Sequence, residues 1–230
     1  MHKPLVIAHR GDASRALENS LDAFRRALSI PVDMIEFDIR KSRDNILYVM
    51  HDKDTGRTAE GNIDIEKAVS DDISRLRLKN GETIPTLNDV LTLVEGRVGL
   101  NIEIKSEGAG ALTAAHLVGA RYRGQVLISS FKEQEILGAR RVIPAISVAG
   151  IFDTFIPAEI SAYRARGYHI ISLNRKTVTG ELVDLCHKKN ITLYVWTVDH
   201  ESEMKELISW RVDGIYSNNP ELLRRIVGKL

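Results

Sequence analysis

Glu36 and Asp38 stand two residues apart in a run, MIEFDI, that otherwise has the composition of a buried strand. Side chains alternate along a strand, so the two carboxylates share one face, with Ile35, Phe37 and Ile39 on the other. Two adjacent acids held out of water repel each other, and an unpaired buried charge costs several kcal/mol, roughly. A second run repeats the pattern: in VGLNIEIK, Asn101, Glu103 and Lys105 face one way and Leu100, Ile102 and Ile104 the other. Carboxylate oxygens without thiolates suit a hard divalent cation, Mg2+ or Ca2+, which would neutralise Glu36, Asp38 and Glu103. Taken alone, Glu36 and Asp38 also fit an ion-pair network with Arg40 or Lys105, and Glu103 with Lys105 a simple same-face pair.

Other strand-like runs end in groups of matching chemistry. LVIAH leads into His9, Arg10 and Gly11, and ILYVM into His51 and Asp52. Arg10 and Lys105 beside a cation point to a phosphate ligand, because a guanidinium grips phosphate oxygens in bidentate fashion. Two histidines supply an acid and a base able to work near neutral pH. Trp196, closing the run ITLYVW, offers a flat apolar wall for a substrate. Each residue has a plain structural explanation by itself: His9 as a satisfied core histidine, His51-Asp52 as the start of a turn, Trp196 as core. Their convergence at strand ends gives one chemistry, the cleavage of a phosphodiester.

These side chains must be positioned by a regular scaffold, and the chain reads as one. Short β-branched runs alternate throughout with amphipathic stretches such as SLDAFRRALSI, where Leu21, Phe24 and Leu28 recur at helical spacing. Strand–helix alternation implies parallel strands with right-handed crossovers. Eight such units, in a chain somewhat under the roughly 250 residues typical of the fold, predict a (β/α)8 TIM barrel. An open doubly wound sheet would carry a glycine-rich loop after its first strand, and HRGDASRALEN has a single glycine there. The whole of 1–230 is expected to form one barrel domain. Residues 52–85 break the rhythm and read as a small cap inserted after the second strand, with ILYVM as an extra strand just before it.

The 230 residues carry 32 basic and 31 acidic side chains, a formal net charge of +1, so no long-range field draws the protein to nucleic acid or an anionic membrane. Hydrophobic residues make up 43% of the chain, enough for a sizeable core. Cys186 is the lone cysteine, which excludes an intrachain disulfide and a cysteine-based zinc site. With no signal-peptide pattern and no apolar run of membrane-spanning length, a cytoplasmic protein acting on a small molecule is expected. Oligomeric state is left open by the sequence.

In AHRG, LENSLDAF, IEFDIRKSRDN, VMHD, NIEIK, ISSF, VWTVD and DGIYSNNP, taken in that order, the sequence resembles the glycerophosphodiester phosphodiesterase family. The resemblance implies a (β/α)8 barrel that uses a divalent cation to hydrolyse glycerophosphodiesters to glycerol 3-phosphate and an alcohol. It implies His9 and His51 as the acid–base pair and Glu36, Asp38 and Glu103 as metal ligands. Arg10 and Lys105 would bind phosphate, Glu18 and Asn19 would support the substrate site, and Trp196 would line its glycerol side. The sequence departs from the family pattern at Leu17 (Pro expected), Ser20 (Thr expected) and Ala59, where GRTAEGN has kept Arg57 and Thr58 of an Arg-Thr-Thr run. Alternatives in the same chemistry are a lyase that releases a cyclic phosphate and a non-catalytic phosphodiester-binding barrel; an enolase-like barrel would need a capping domain for which there is no room.

Overall fold

The structure, a computed structural model, describes residues 3–229, so the ends of the 1–230 span lie outside the described residues. Strands β1 (Leu5–His9), β2 (Met34–Lys41), a short β3 (Leu47–Val49), β4 (Gly99–Ile104), β5 (Val126–Ser130), β6 (Ser147–Phe152), β7 (Ile170–Asn174), β8 (Thr192–Trp196) and β9 (Gly214–Ser217) form one sheet. All but β3 are parallel, and the sheet closes because β1 pairs with β2 on one side and with β9 on the other. The helices that return the chain to the bottom of the barrel are α1 (Leu21–Ser29), α3 (Leu87–Val94), α4 (Ala109–Gly119), α5 (Glu133–Val142), α6 (Ile160–Ala165), α7 (Gly180–Lys188), α8 (Glu201–Ser209) and α9 (Pro220–Val227), with a short α2 (Ser70–Ser74) in the insertion. The expected (β/α)8 barrel is therefore the observed one.

Period-two alternation sorts the strand residues into two cores. Ile35, Phe37 and Ile39 of β2 and Leu100, Ile102 and Ile104 of β4 point outward and are buried under the helices. Phe37 meets Phe24 of α1 with ring centroids 5.8 Å apart. Truncating such a side chain to alanine costs about 3–5 kcal/mol. Inside the barrel, Ile7, Met34, Leu127, Ala149, Tyr194 and Tyr216 pack into a separate plug. Above it the inward positions turn polar: the register sets His9 beside Glu36, Glu36 beside Asn101, Asp38 beside Glu103 and Glu103 beside Ser129.

The first βα turn is built for closeness. Gly11 has φ +86, and a Cβ there would lie 2.7 Å from the Ala23 carbonyl carbon, so only glycine lets the chain turn against the start of α1. Ser20 then caps that helix, its hydroxyl accepting from the Ala23 N–H at 3.1 Å.

The break between β2 and α3 is where sequence rhythm fails. β3, expected from ILYVM, pairs antiparallel with the end of β2, Ile39 against Val49 and Lys41 against Leu47. The rest is held by single bridges, Asp54 with Asp64, Ala59 with Leu78 and Arg77 with Thr83, around a small core of Tyr48, Met50, Ala59, Ile65, Ile73, Leu78 and Ile84. Leu17 packs against that core, and Ala59 is 2% exposed within it. Two departures from the family pattern thus meet at the seam between the first loop and the insertion.

Candidate active site

A cavity of about 240 Å³ opens at the carboxyl ends of the strands, lined by His9, Arg10, Glu36, His51, Glu103, Lys105 and Trp196 among others. Of the residues singled out in the sequence, these seven line it directly. Asp38 is fully buried beneath, yet oxygen atoms of Glu36, Asp38 and Glu103 all lie within 4.8 Å of one another. Glu18 and Asn19 stand one layer back. Glu18 accepts from Arg10 Nη1 at 2.8 Å, and Asn19 Nδ2 donates to Asp38 Oδ2 at 2.8 Å. Arg40 does not reach the acids: it donates to the His51 carbonyl at 2.8 Å and to Glu66 at 2.9 Å.

The acidic cluster is gripped from both sides. Lys105 Nζ bonds Glu103 Oε1 and lies 3.2 Å from Asp38 Oδ1. The Arg10 backbone N–H donates to Glu36 Oε2 at 2.9 Å, and its Nε lies 3.3 Å from Asp38 Oδ2. Arg10 has φ 56 and Asn19 φ 58, left-handed conformations that both turn their side chains onto Asp38. Two cations do not satisfy three acids. Glu36 Oε1 and Asp38 Oδ1 are buried without a well-directed hydrogen bond.

Electrostatics record that shortfall. Burial and the charges of Asp38 and Glu103 push the Glu36 carboxyl well above the usual carboxylate range. Burial and Asp38 push Glu103 up to about 7. Burial alone would raise Asp38 too, but Lys105 and Arg10 outweigh it and hold Asp38 low. Glu36 and Glu103, beside the ionised Asp38, hold protons more tightly than free carboxyls do unless a cation replaces those protons.

The histidines differ in what backs them. His9 Nδ1 is 2.8 Å from Asn218 Oδ1, and that amide is oriented by Nδ2 donating to Asp199 at 2.7 Å. The amide oxygen can only accept, so Nδ1 of His9 carries the proton and Nε2, 3.9 Å from Glu36, is left to accept one. His51 Nδ1 instead meets the Asp52 carboxylate at 2.7 Å. Burial, with Arg10 adding to it, lowers His9 to about 4, so that ring is neutral at pH 7; burial also lowers His51, against the pull of Asp38 and Asp52.

The opposite wall is apolar. Phe131 meets Trp196 edge-on with centroids 5.8 Å apart, and Ile151 lies beside them. On the floor, Asn101 Nδ2 donates to the Tyr216 hydroxyl at 3.1 Å. Among the described residues no helix is long and apolar enough to cross a membrane.

Sequence reasoning missed Asn218 and Asp199 behind His9, Asp52 as the partner of His51, and Arg57. Their motifs, SNNP, WTVD, MHD and GRTAEGN, were in view; Asn218 with His9 and Arg57 with Glu18 join residues far apart in the chain, while Asp52, next to His51, fitted the start of a turn equally well.

Residues 9–222 match the glycerophosphoryl diester phosphodiesterase family. The chain belongs to that family. A glycerophosphodiester phosphodiesterase of Caldanaerobacter subterraneus subsp. tengcongensis is 32% identical over 99% of both chains. Another, from Bacillus altitudinis, is 28% identical over 94% of this chain and 95% of its own. Among solved structures, a glycerophosphodiester phosphodiesterase from Parabacteroides distasonis superimposes with a TM-score of 0.86 at 27% identity, covering 99% of this chain and 98% of that one. An Oleispira antarctica phosphodiesterase, solved in complex with the product sn-glycerol-3-phosphate, gives a TM-score of 0.91 at 23% identity over 98% of this chain and 97% of its own, a likeness of fold.

Proposed function

We propose that this chain hydrolyses glycerophosphodiesters to glycerol 3-phosphate and an alcohol with the help of one divalent cation, Mg2+ or Ca2+. The observation that carries the reading is the cluster of Glu36, Asp38 and Glu103, with oxygens within 4.8 Å of one another and two of them lacking a directed partner, in a cavity that His9 and His51 also line. The donor set is all oxygen and buried, which suits a hard cation. Once bound, such an ion would offset negative charge on the phosphoryl oxygens and lower the pKa of a coordinated hydroxyl group.

The chain's own residues do the rest. Arg10 donates Nη1 to Glu18 and sets Nε 3.3 Å from Asp38, and its guanidinium lines the cavity where a phosphate oxygen would sit. Lys105 adds a second positive charge at the same rim. One imidazole, neutral, takes the proton of the attacking hydroxyl and becomes imidazolium, while the other, protonated at the outset, gives its proton to the departing oxygen; water then returns the two rings to their starting states. Phe131 and Trp196 provide a dry face for the carbons of glycerol. Residues 52–85 cap this site as part of one barrel domain. A cytoplasmic location belongs to the same proposal.

Phosphorus NMR of the products tests it. A phosphate monoester that accumulates together with free alcohol is the expected outcome. A cyclic phosphate that persists as the final product would replace hydrolysis with a lyase reaction.

A further inference from the structure

Arg57 does not line the cavity. It sits on the insertion, its side chain 47% exposed, yet its guanidinium touches both halves of the ionic machinery. Nε donates to Asp52 Oδ2, and Asp52 Oδ1 stands 2.7 Å from His51 Nδ1. Nη1 and Nη2 donate to Glu18 Oε2 and Oε1 at 2.9 and 2.7 Å, and Glu18 Oε1 also accepts from Arg10 Nη1 at 2.8 Å. Among the described residues, no side-chain hydrogen bond joins Asp52 to Glu18 directly, and Arg57 bonds both.

We propose that Arg57 is a positioning residue that locks His51 and Arg10 into one frame, so that the insertion serves to hold the proton-transfer group in register with the anion clamp. The proposal rests on the reading of His51 and Arg10 as working residues. Its physical basis is the fork of a guanidinium, whose N–H groups point in fixed directions and reach two carboxylates at once. A lysine presents its donors from one nitrogen, whereas Arg57 reaches Asp52 and Glu18 from three separate nitrogens. The backbone that presents Arg57 is pinned: Lys79 Nζ donates to the Arg57 carbonyl at 2.8 Å, the Lys79 N–H to the Thr58 carbonyl at 2.9 Å, and the Ala59 N–H to the Thr55 carbonyl at 2.8 Å. Ala59 itself is packed in the small core of the insertion. A fixed backbone and a fixed fork together convert the fold of residues 52–85 into a set distance between His51 and Arg10. Without Arg57, Asp52 keeps only the imidazole and Glu18 only Arg10, and each pair is free to move by itself.

The test uses the full-length protein with Mg2+ and sn-glycero-3-phosphocholine as the probe. Arg57→Ala lowers kcat/KM by roughly 10- to 100-fold, chiefly in kcat, the range seen when supports behind a reacting group are removed. Guanidinium ion added to Arg57→Ala restores part of the loss, whereas Arg57→Lys restores little. Asp52→Asn and Glu18→Gln, made singly and together, depart from multiplicative losses by roughly threefold or more while Arg57 is present, and multiply cleanly in the Arg57→Lys background. A turnover-independent arm follows the ring nitrogen signals of His51 by NMR at fixed pH. Glu18→Gln, on the far side of Arg57, shifts them in the parent protein and leaves them unmoved in Arg57→Lys. Clean multiplication in both backgrounds, together with His51 signals indifferent to Glu18→Gln, overturns the proposal. His51 signals that respond in a parent protein without turnover uphold the coupling and remove the functional reading instead.

Discussion

The His9 ring and the Asn218 amide are 2.8 Å apart, Nδ1 to Oδ1, across 209 residues of chain. Asp199 holds the amide in that orientation from behind, taking Nδ2 at 2.7 Å and the Asn218 backbone N–H at 2.8 Å. A neutral amide therefore decides which nitrogen of a catalytic candidate faces the cavity. Asn218→Ala frees the ring to rotate or change tautomer, and we expect kcat/KM to fall by roughly 10- to 100-fold with little change in thermal midpoint. Steady-state kinetics with a melting curve checks this. Unchanged turnover would place His9 outside the reaction.

Metal affinity should depend on pH around neutrality. Burial and Asp38 raise the Glu103 carboxyl from 4.5 to about 7, so below pH 7 a cation must displace the Glu103 proton to bind. Apparent affinity should drop about tenfold per pH unit below 7 for the Glu103 proton displaced, with the raised Glu36 adding to the slope wherever it too is protonated. Calorimetric titration of Mg2+ from pH 5.5 to 8.5, in buffers of different ionisation enthalpy, reads both the affinity and the proton release.

The same shift sets the stability of the metal-free protein. A carboxyl with a folded-state pKa above its unfolded value favours folding while protonated. That contribution is present in full below about 4.5 and is lost as pH rises through about 7. The metal-free fold should therefore weaken across this interval, and added Mg2+ should restore it. Glu36→Gln removes one of the three repelling acids. At pH 8 without metal it should raise the thermal midpoint by a few degrees, about the effect of 1 kcal/mol in a domain of this size, with no gain at pH 5. It should also abolish the midpoint rise caused by Mg2+. Differential scanning calorimetry of both proteins at the two pH values is the measurement.

Gly11 links fold to site. Gly11→Ala must place a Cβ 2.7 Å from the Ala23 carbonyl carbon at φ +86. Relief requires the first βα turn to move, which shifts Arg10 away from Glu36 and Asp38. A loss of about 1–3 kcal/mol of stability is expected, together with weaker phosphate binding. Urea unfolding and inorganic phosphate competition check the two effects separately.

Legibility in the sequence followed the range of the interactions. The alternation in MIEFDI and NIEIK fixes which side chains face inward from local geometry alone, and Glu36, Asp38 and Glu103 were readable for that reason. Eight βα units close in one way, so the barrel was readable as well. The insertion was readable as a break in the rhythm and as the extra strand ILYVM, but not in its packing: its core draws on Tyr48, Met50, Ile65, Ile73 and Ile84, which keep neither strand nor helix period, and its other pairings are single bridges. Asn218 behind His9, Arg57 on Glu18 and Tyr216 beneath Asn101 are pairings 209, 39 and 115 residues apart. No spacing rule reaches across such distances, and only the closed barrel brings them together.

The central claim is metal-assisted hydrolysis at the top of the barrel, and its most direct test is glycerol 3-phosphate release from sn-glycero-3-phosphocholine. The parent protein, His9→Ala and Glu36→Ala should be assayed side by side, each with EDTA and then with Mg2+ or Ca2+ restored. We expect release by the parent protein that stops with EDTA, returns with the cation, and is lost in both variants. Release that persists in EDTA, or survives loss of His9, would contradict the account.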